Sequence, residues 1–313
     1  MKILFFGTAF ISKTYLEELH KNRHEIFAVT MSDKPALRGQ KLIYPAVKVY
    51  AVKNNISFIQ PEKFTPAVIE TIMDFAADAG VAVAYGKLIP KVVFNNPKYK
   101  TFNIHFSLLP KYRGAAPVQH ALCRGETETG ISSFYIEEGL DTGNIIVHEK
   151  LNISIKDNAE TLLNKLIPLG IGVMNKTLNL FRYGKCDAMS QTGDPSFAPP
   201  LKKVDGLVDW SKSAYEIYNQ FRGLYLWPGI YSTVSQGKLA GKRIKFREIE
   251  VFDSDSVNKD SGIVYSTEKN KGFTVSCACG RILVVKVQAE NKPVVSAWDF
   301  IQGRQISAGD HFF

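Results

Sequence analysis

The chain has 313 residues, of which 45% are hydrophobic and 22% are charged. This composition is that of a folded globular protein, and it excludes a disordered, collagen-like or coiled-coil chain. At about 150 residues per domain, the length predicts two domains. Lysine and arginine together number 39 against 30 acidic residues, which gives a net charge of +9. This excess favours an anionic partner such as a nucleic acid.

Cysteine usage and hydropathy indicate the cellular compartment. Four cysteines are too few for a disulfide scaffold, and Cys277 and Cys279 are too close together for a zinc-binding or redox pair. The amino terminus has only a short apolar run before Gly7, which is too short for a signal peptide, and no run of about 18 apolar residues occurs. We therefore expect a soluble, cytoplasmic protein without a membrane segment.

The first part of the chain alternates between strand-like and helix-like patterns. Short continuous apolar runs such as Ile3–Phe6 and Val81–Tyr85 are typical of buried strands, and helical spacing recurs between them. Strand, helix and strand in succession indicate βαβ units, so we expect an α/β domain with a mostly parallel sheet. In chain order the predicted elements are strand 3–6, helix 12–19, strand 24–30, helices 47–53 and 68–75, strands 81–85 and 101–106, and helix 118–123.

The pattern changes after Gly130, where we predict strands 131–136 and 145–155 and a helix over 159–181 that continues through Pro168. Residues 184–206 are rich in Gly, Pro, Asp and Ser, as linkers are. We therefore expect an N-terminal domain over 1–184, a linker over 185–206, and a small β-barrel domain over 207–313. The elements predicted for the last domain are helix 213–221 and strands 229–234, 243–251, 262–265, 272–277 and 282–287.

Two polar side chains lie on one face of the predicted strand 101–106. Side chains alternate along a strand, so Asn103 and His105 project together, while Phe102, Ile104 and Phe106 project from the opposite face. An unpaired buried polar group costs about 1–3 kcal/mol, so this amide and this imidazole need partners. They form either a structural hydrogen-bonded pair or part of a catalytic site.

Asp141 lies in a glycine-bracketed turn, Gly139–Gly143, after the next strand. An aspartate in a turn commonly bonds to its own backbone. With Asn103 and His105, however, it completes a set of an amide, an imidazole and a carboxylate. Acyl transfer to an amine requires these groups, for oxyanion stabilisation, proton transfer and orientation of the imidazole. No activated serine or cysteine is evident near them, so we expect direct transfer between two bound substrates.

The motifs around these residues resemble those of the folate-dependent formyltransferases, and most closely those of members that act on methionyl initiator tRNA. The resemblance extends through most of the chain. Its most specific part is the string Asn-x-His-x-Ser-Leu-Leu-Pro over 103–110, followed by the loop that carries Asp141. The other matching motifs are Arg38–Leu42, Pro45–Lys48, Val83–Gly86, Leu88–Pro90, Arg113–Pro117, Gly139–Gly143 and Val208–Trp210.

The resemblance implies a Rossmann-like N-terminal domain and a C-terminal barrel of the oligonucleotide-binding (OB) type that helps to hold tRNA. It implies 10-formyltetrahydrofolate as the formyl donor and the α-amine of methionine on initiator tRNA as the acceptor. It implies neither a metal nor a stable protein partner. The residues that it places in the tetrahydrofolate site are Ser107, Leu108, Leu109 and Pro110.

The resemblance also implies catalytic roles for Asn103, His105 and Asp141. In the mechanism that it implies, the Asn103 amide and a protonated His105 donate hydrogen bonds to the oxygen on which negative charge gathers. Asp141 favours the imidazolium form of His105 and relays the proton of the amine through water. Two positions depart from the family pattern, because Phe106 stands in place of a small residue or proline and Ala9 in place of a proline.

Basic residues of the last domain predict where tRNA binds. Arg243, Lys245 and Arg247 share one face of a strand if Ile244 and Phe246 point into the barrel. These three basic residues form either a solvated strand face or a stripe that contacts phosphates. Such a stripe would act together with three basic residues of the N-terminal domain: Arg38, Lys41 and Arg113.

Other functions stay open on the sequence alone. They are a formyltransferase acting on a sugar nucleotide or another small amine, a formyltetrahydrofolate hydrolase, and a non-catalytic RNA-binding protein. A glycinamide ribonucleotide formyltransferase fits less well, because it would leave the C-terminal domain unexplained. The intact set of Asn103, His105 and Asp141 argues against the non-catalytic alternative.

Overall fold

The structure is a computed structural model that describes residues 1–35, 42–236, 239–303 and 306–313. Two compact units are present, and each is assembled from several stretches of the chain. Unit 1 comprises Met1–Gly114, Thr129–Asn152 and Asn164–Phe197, and unit 2 comprises Ala115–Glu128, Ile153–Leu163 and Ala198–Phe313. The domain boundaries that we predicted at 184 and 207 stay a prediction.

The strands and helices follow one another largely as the sequence predicted. The strands are β1 Lys2–Gly7, β2 Glu25–Val29, β3 Lys34–Pro35, β4 Leu42–Ile43, β5 Ser57–Ile59, β6 Ala79–Val83, β7 Thr101–His105, β8 Glu128–Tyr135, β9 Ile145–Asn152, β10 Ile230–Thr233, β11 Arg243–Val257, β12 Val264–Glu268, β13 Gly272–Ser276, β14 Cys279–Ala289 and β15 Val295–Ser296. The helices are α1 Phe10–Lys21, α2 Ala46–Lys53, α3 Pro66–Asp74, α4 Lys91–Phe94, α5 Pro117–Cys123, α6 Ala159–Arg182, α7 Ala214–Leu224 and α8 Ala297–Gln302. No described helix is long and apolar enough to cross a membrane.

Unit 1 is built on a seven-stranded sheet in the order β5-β2-β1-β6-β7-β8-β9. The strands from β5 to β7 pair in parallel, and β8 runs antiparallel to β7. Ile3, Leu4, Phe5 and Phe6 are fully buried, which explains the continuous apolar run of β1, since both faces of a parallel sheet are covered. The predicted Rossmann-like domain with a mostly parallel sheet is confirmed.

The strand alternation predicted for β7 agrees with the observed contacts. On one face, Phe102 packs edge-to-face against Phe181 of α6, with ring centroids 5.7 Å apart. On the same face, Phe106 meets Tyr15 of α1 at 6.4 Å. His105, on the opposite face, packs against Phe134 of β8. The bulky Phe106 therefore lies on the face that Asn103 and His105 do not use.

Unit 2 contains an antiparallel sheet in the order β10-β11-β14-β13-β12, with β15 added to β14. Its two edges are joined by the last residues of the chain. Thr233 and Phe313 exchange two backbone hydrogen bonds, and the Phe312 N–H donates to the carbonyl oxygen of Gly262. Phe312 is buried against Trp210 and other aromatic rings. The predicted small β-barrel domain is thereby confirmed.

Candidate active site

The candidate site begins at the carboxyl end of β7. Antiparallel pairing places Asn103 opposite Phe134 of β8 and His105 opposite Ser132. His105 is buried, whereas Asn103 is half-buried. The Asn103 amide makes no hydrogen bond with any residue that the structure describes. It is therefore free to donate to a bound substrate.

The imidazole of His105 has a different partner at each nitrogen. Nε2 lies 2.9 Å from the carbonyl oxygen of Tyr112, and because a carbonyl only accepts, Nε2 carries the hydrogen. Nδ1 lies 3.7 Å from Oδ2 of Asp141, which is longer than a hydrogen bond. In the neutral ring, Nδ1 is therefore a bare proton acceptor that faces a carboxylate.

The surroundings of His105 shift its pKa in opposing directions. Desolvation lowers its pKa, and the nearby Asp141 carboxylate and the bond to the Tyr112 carbonyl oppose this shift without overcoming it. A lowered pKa favours the neutral ring in the free protein, and the role of an imidazolium donor that the resemblance implies stays a prediction. The carboxylate instead favours the cation once Nδ1 has taken a proton.

The Asp141 loop brings the carboxylate to His105. Asp141 adopts a left-handed backbone conformation with φ 51°, which aspartate tolerates better than most residues. Its Oδ2 accepts a hydrogen bond of 2.7 Å from the backbone N–H of Gly114, in the loop that follows β7. The sequence left open whether Asp141 serves only its own turn. In the structure its carboxylate joins two loops beside the imidazole.

The loop after β7, which we predicted to contact folate, is largely internal to unit 1. Ser107 is fully buried, and its carbonyl oxygen accepts a 2.6 Å bond from the Ser132 hydroxyl. Leu109 is 3% exposed and packs with Phe134 and Ile145 in one apolar cluster. These two members of the predicted folate site thus help to hold the loop.

Leu108 and Pro110 are half-buried, so they are the members of the predicted folate site that present surface. Leu108 packs close to Gly130 of β8, where a β-carbon would lie 2.5 Å from its Cδ2. The assignment of Ser107, Leu108, Leu109 and Pro110 to folate binding stays a prediction. Its direct contacts would come from the two half-buried residues.

The polar segment around Gln191 lies within the predicted linker 185–206, and no sequence pattern assigned it to the site. Gln191 bonds both to the Asp141 loop and to Arg113, and Ser196 Oγ accepts a 2.9 Å bond from the Tyr112 N–H. Gln191 lies between a serine and a threonine in a segment without periodicity. No local pattern therefore marks it, and only its tertiary contacts bring it to the site.

The basic residues that we predicted to bind tRNA differ in their surroundings. Arg38 and Lys41 lie outside the described residues. Ile244 and Phe246 are buried in unit 2, so the condition for a basic strand face is met. Arg243 and Arg247 are exposed, Lys245 is half-buried, and the Arg243 guanidinium lies 4.2 Å from the centroid of the Tyr231 ring.

The described residues contain no group of three or more His, Cys, Asp or Glu side chains that could hold a metal ion. The prediction of a reaction without metal stays a prediction.

Residues 1–178 match the formyl transferase family, and residues 200–305 match the C-terminal domain of formyl transferases. The chain is 88% identical over 312 residues to a methionyl-tRNA formyltransferase of Endomicrobium trichonymphae, with 100% of each chain covered. It is 37% identical to the methionyl-tRNA formyltransferase of Fusobacterium nucleatum subsp. nucleatum, with 99% of each chain covered. The chain therefore belongs to the formyl transferase family and, within it, to the methionyl-tRNA formyltransferases.

Solved structures of similar fold support the same architecture. One is WlaRD, a sugar 3N-formyl transferase in the presence of dTDP and 5-N-formyl-THF, with a TM-score of 0.65, 23% identity, and coverage of 94% of this chain and 99% of that one. Another is HypX from Aquifex aeolicus in complex with tetrahydrofolic acid, with a TM-score of 0.63, 15% identity, and coverage of 96% of this chain and 47% of that one. At these identities the likeness concerns the fold alone.

Proposed function

We propose that this protein transfers the formyl group of 10-formyltetrahydrofolate to the α-amine of methionine on initiator tRNA, for translation initiation in the cytoplasm. The observation that carries the proposal is the arrangement at the end of β7. A free Asn103 amide lies on the same strand face as His105, whose bare Nδ1 faces Asp141 at 3.7 Å. Membership of the methionyl-tRNA formyltransferases supports the choice of acceptor.

Asn103 supplies the hydrogen bond that the reaction needs at its oxygen. When bound, 10-formyltetrahydrofolate supplies the formyl carbon, and negative charge gathers on the formyl oxygen as the amine adds. A preorganised amide donor in a site sheltered from water can stabilise such an oxygen by about 2.7–4 kcal/mol. The Asn103 side chain suits this role because none of the described residues occupies its amide.

His105 accepts the proton that the α-amine loses, and Asp141 assists it. The α-amine must lose a proton as its nitrogen bonds to the formyl carbon, and the bare Nδ1 of the neutral imidazole accepts it. The bond between the formyl carbon and N10 of the folate then breaks, and the imidazolium returns a proton to N10, so that tetrahydrofolate leaves and the neutral ring is restored. The imidazolium formed in this way is buried, so an adjacent negative charge stabilises it strongly. The Asp141 carboxylate provides that charge, and its bond to the Gly114 N–H keeps it in place.

The residues around the end of β7 fit a folate cosubstrate, because Asn103 provides an amide donor and Leu108 and Pro110 form an apolar wall. Leu108 and Pro110 present partly exposed apolar surface on the loop that directly follows β7. Ligand pockets are commonly apolar surfaces with a few well-placed polar groups. We infer that Leu108 and Pro110 contact the folate, while the buried Ser107 and Leu109 hold their loop in shape.

The excess of basic residues supports tRNA as the acceptor. Phosphate contacts from lysine and arginine dominate the affinity of proteins for nucleic acids. In unit 2 the exposed Arg243 and Arg247 and the half-buried Lys245 lie on the strand whose Ile244 and Phe246 are buried in the core. We infer that this basic stripe contacts tRNA phosphates, together with Arg38, Lys41 and Arg113.

The test is formylation of methionyl initiator tRNA by the purified protein with 10-formyltetrahydrofolate. We expect formyl-methionyl-tRNA to form in proportion to the tRNA supplied. Three parallel reactions contain the donor with an amino sugar nucleotide, the donor alone, and the donor with uncharged tRNA. Formylation of the sugar nucleotide but not of the tRNA, or release of formate from the donor alone, would contradict the proposal and support a sugar formyltransferase or a hydrolase, respectively.

A further inference from the structure

We propose that Gln191 is a positioning residue for formyl transfer, because it holds the Asp141 loop against His105 and joins that loop to Arg113. The inference rests on the proposed function, since it assigns Gln191 to the same reaction. The residue itself lies in the predicted linker 185–206.

Every polar group of the Gln191 side chain is used in this way. Its Nε2 donates to the carbonyl oxygens of Asp141 at 2.8 Å and of Gly143 at 2.9 Å. Its Oε1 accepts from Nε of Arg113 at 3.2 Å and from Nη2 of the same guanidinium at 2.6 Å. A glutamine side chain has two N–H donors and one carbonyl acceptor, so this single amide bridges the two loops completely.

The Asp141 loop needs such support. The backbone of Asp141 has a φ of 51°, a left-handed conformation that costs free energy even in aspartate, which tolerates it better than most residues. Gln191 binds the main-chain oxygen of Asp141, and the Gly114 N–H binds its carboxylate. The residue is thus held at both ends, which fixes the carboxylate at 3.7 Å from Nδ1 of His105.

The segment that carries Gln191 also holds the other partner of the imidazole. Tyr112, whose carbonyl oxygen accepts from Nε2 of His105, donates its own N–H to Ser196 Oγ at 2.9 Å. The Arg113 N–H donates to the Ser196 carbonyl oxygen at 2.8 Å. The segment that contains Gln191 and Ser196 therefore holds both partners of the imidazole. Ser196 holds the Tyr112 side, and Gln191 holds the Asp141 side.

Arg113 gives the bridge a second consequence. Its Nε and Nη2 are committed to Gln191, whereas its Nη1 bonds to none of the residues that the structure describes. That group is available to an anionic part of a substrate, such as a phosphate.

The experiment compares Gln191→Met, which keeps the size of the side chain and removes all four bonds, with a matched control. Gln220→Met is that control, because Gln220 also donates through Nε2 to two carbonyl oxygens, those of Asp205 and Leu207, at 2.8 and 2.9 Å. Two quantities are measured, namely kcat for formylation and the pKa of His105 by NMR titration of the labelled imidazole.

We expect Gln191→Met to lower kcat about tenfold, the effect of losing about 1.4 kcal/mol of transition-state stabilisation. We also expect the pKa of His105 to fall, because the Asp141 carboxylate that raises it is no longer held close. The KM for the folate should change little. Gln220→Met should leave kcat and the His105 titration as in the wild type.

An unchanged kcat and an unchanged His105 titration in a folded Gln191→Met protein would overturn the inference, provided that the wild type is active. If Gln191→Met does not fold, Gln191→Glu decides, because it keeps an acceptor for Arg113 and loses both donors to the Asp141 loop. A wild-type rate for Gln191→Glu would then overturn the inference. If the wild type formylates no tRNA, the proposed function fails, and the NMR titration still tests whether Gln191 positions Asp141.

Discussion

Nδ1 of His105 lies 3.7 Å from Oδ2 of Asp141, while Nε2 of the same ring donates to the Tyr112 carbonyl at 2.9 Å. The second bond assigns the hydrogen of the neutral ring to Nε2. Nδ1 is then the nitrogen that can take a proton, and it does so beside a carboxylate. Asp141 thus stabilises the imidazolium that forms when Nδ1 accepts a proton and partly offsets the cost of its burial, which suits an amine that must lose a proton.

The first prediction concerns the two members of this pair. We expect His105→Ala and Asp141→Asn each to lower the rate of a single turnover by about 10²–10⁴-fold, the usual contribution of general acid–base catalysis. His148→Ala is the control, because His148 is exposed on β9. Circular dichroism and thermal unfolding check that the variants fold. A near wild-type rate for either variant would remove that residue from the mechanism.

The second prediction concerns pH. Burial lowers the pKa of His105 below its ordinary value of 6.5, and the base form predominates at pH above that lowered pKa. The acid limb that His105 contributes should therefore lie below pH 6.5. It is measured in kcat at saturating tRNA, because kcat/KM also reports the free α-amine of the substrate, whose ordinary pKa is about 7.7–8.0. Asp141→Asn removes a charge that raises the pKa, so its residual activity should fall at a still lower pH. If kcat of the wild type already falls as the pH drops towards 6.5 from above, a group other than His105 limits the rate.

The third prediction separates folding from folate binding in the loop after β7. Leu109→Ala should lower the free energy of unfolding by about 2–5 kcal/mol, because it empties a buried site beside Phe134 and Ile145. Leu108→Asp should instead raise the Kd of a folate analogue, because it places a charge on the apolar wall. Urea unfolding and calorimetric titration measure the two effects. An unchanged Kd in a folded Leu108→Asp protein would exclude this wall from the folate site.

The fourth prediction concerns the basic stripe of unit 2. Replacing Arg243, Lys245 and Arg247 by Gln should weaken tRNA binding and flatten the dependence of log K on log salt by about two units. Formyl transfer to a small methionyl ester should be unaffected, because that substrate has no phosphates.

The matched control for the stripe removes the same charge from exposed lysines elsewhere in unit 2. It is the triple Gln replacement of Lys259, Lys269 and Lys271. If both triple variants lose the same affinity and salt slope, net charge explains the effect and the stripe has no special role.

The fifth prediction tests how unit 2 is closed. Phe312 is 1% exposed and packs against the rings of Trp210, Phe246 and Phe273. Phe312→Ala should destabilise the protein by about 3–5 kcal/mol, as expected for a large buried aromatic side chain. Phe313→Ala is the control, because its side chain is exposed and its backbone bonds to Thr233 do not depend on it. Equal urea midpoints for the two variants would contradict this account of the closure.

Much of the fold follows from local patterns in the sequence. The continuous apolar run of β1 and the period-two pattern of β7 predicted buried strands, because side-chain burial repeats with the geometry of the backbone. The pattern also predicted α6, in which Pro168 lies within Ala159–Arg182. Short elements such as Ser57–Ile59 and Lys91–Phe94 were missed, since three or four residues are too few to establish a period.

By itself, the sequence determined the chemical inventory of the candidate site. It placed Asn103 and His105 on one strand face and supplied Asp141 from a later turn, and the motif around them predicted the family. These conclusions depend on residue type and on spacing within one element, and both can be read directly from the sequence.

Only the tertiary structure decided how these groups are charged and held. The lowered pKa of His105 comes from burial among residues far along the chain, and the tautomer of its neutral ring comes from the carbonyl of Tyr112. The position of Asp141 depends on the amide of Gln191 and the N–H of Gly114. Hydrogen bonds between distant loops produce no repeating pattern in the sequence. The residues that form them have the same types as other polar residues in turns, so the sequence does not distinguish them.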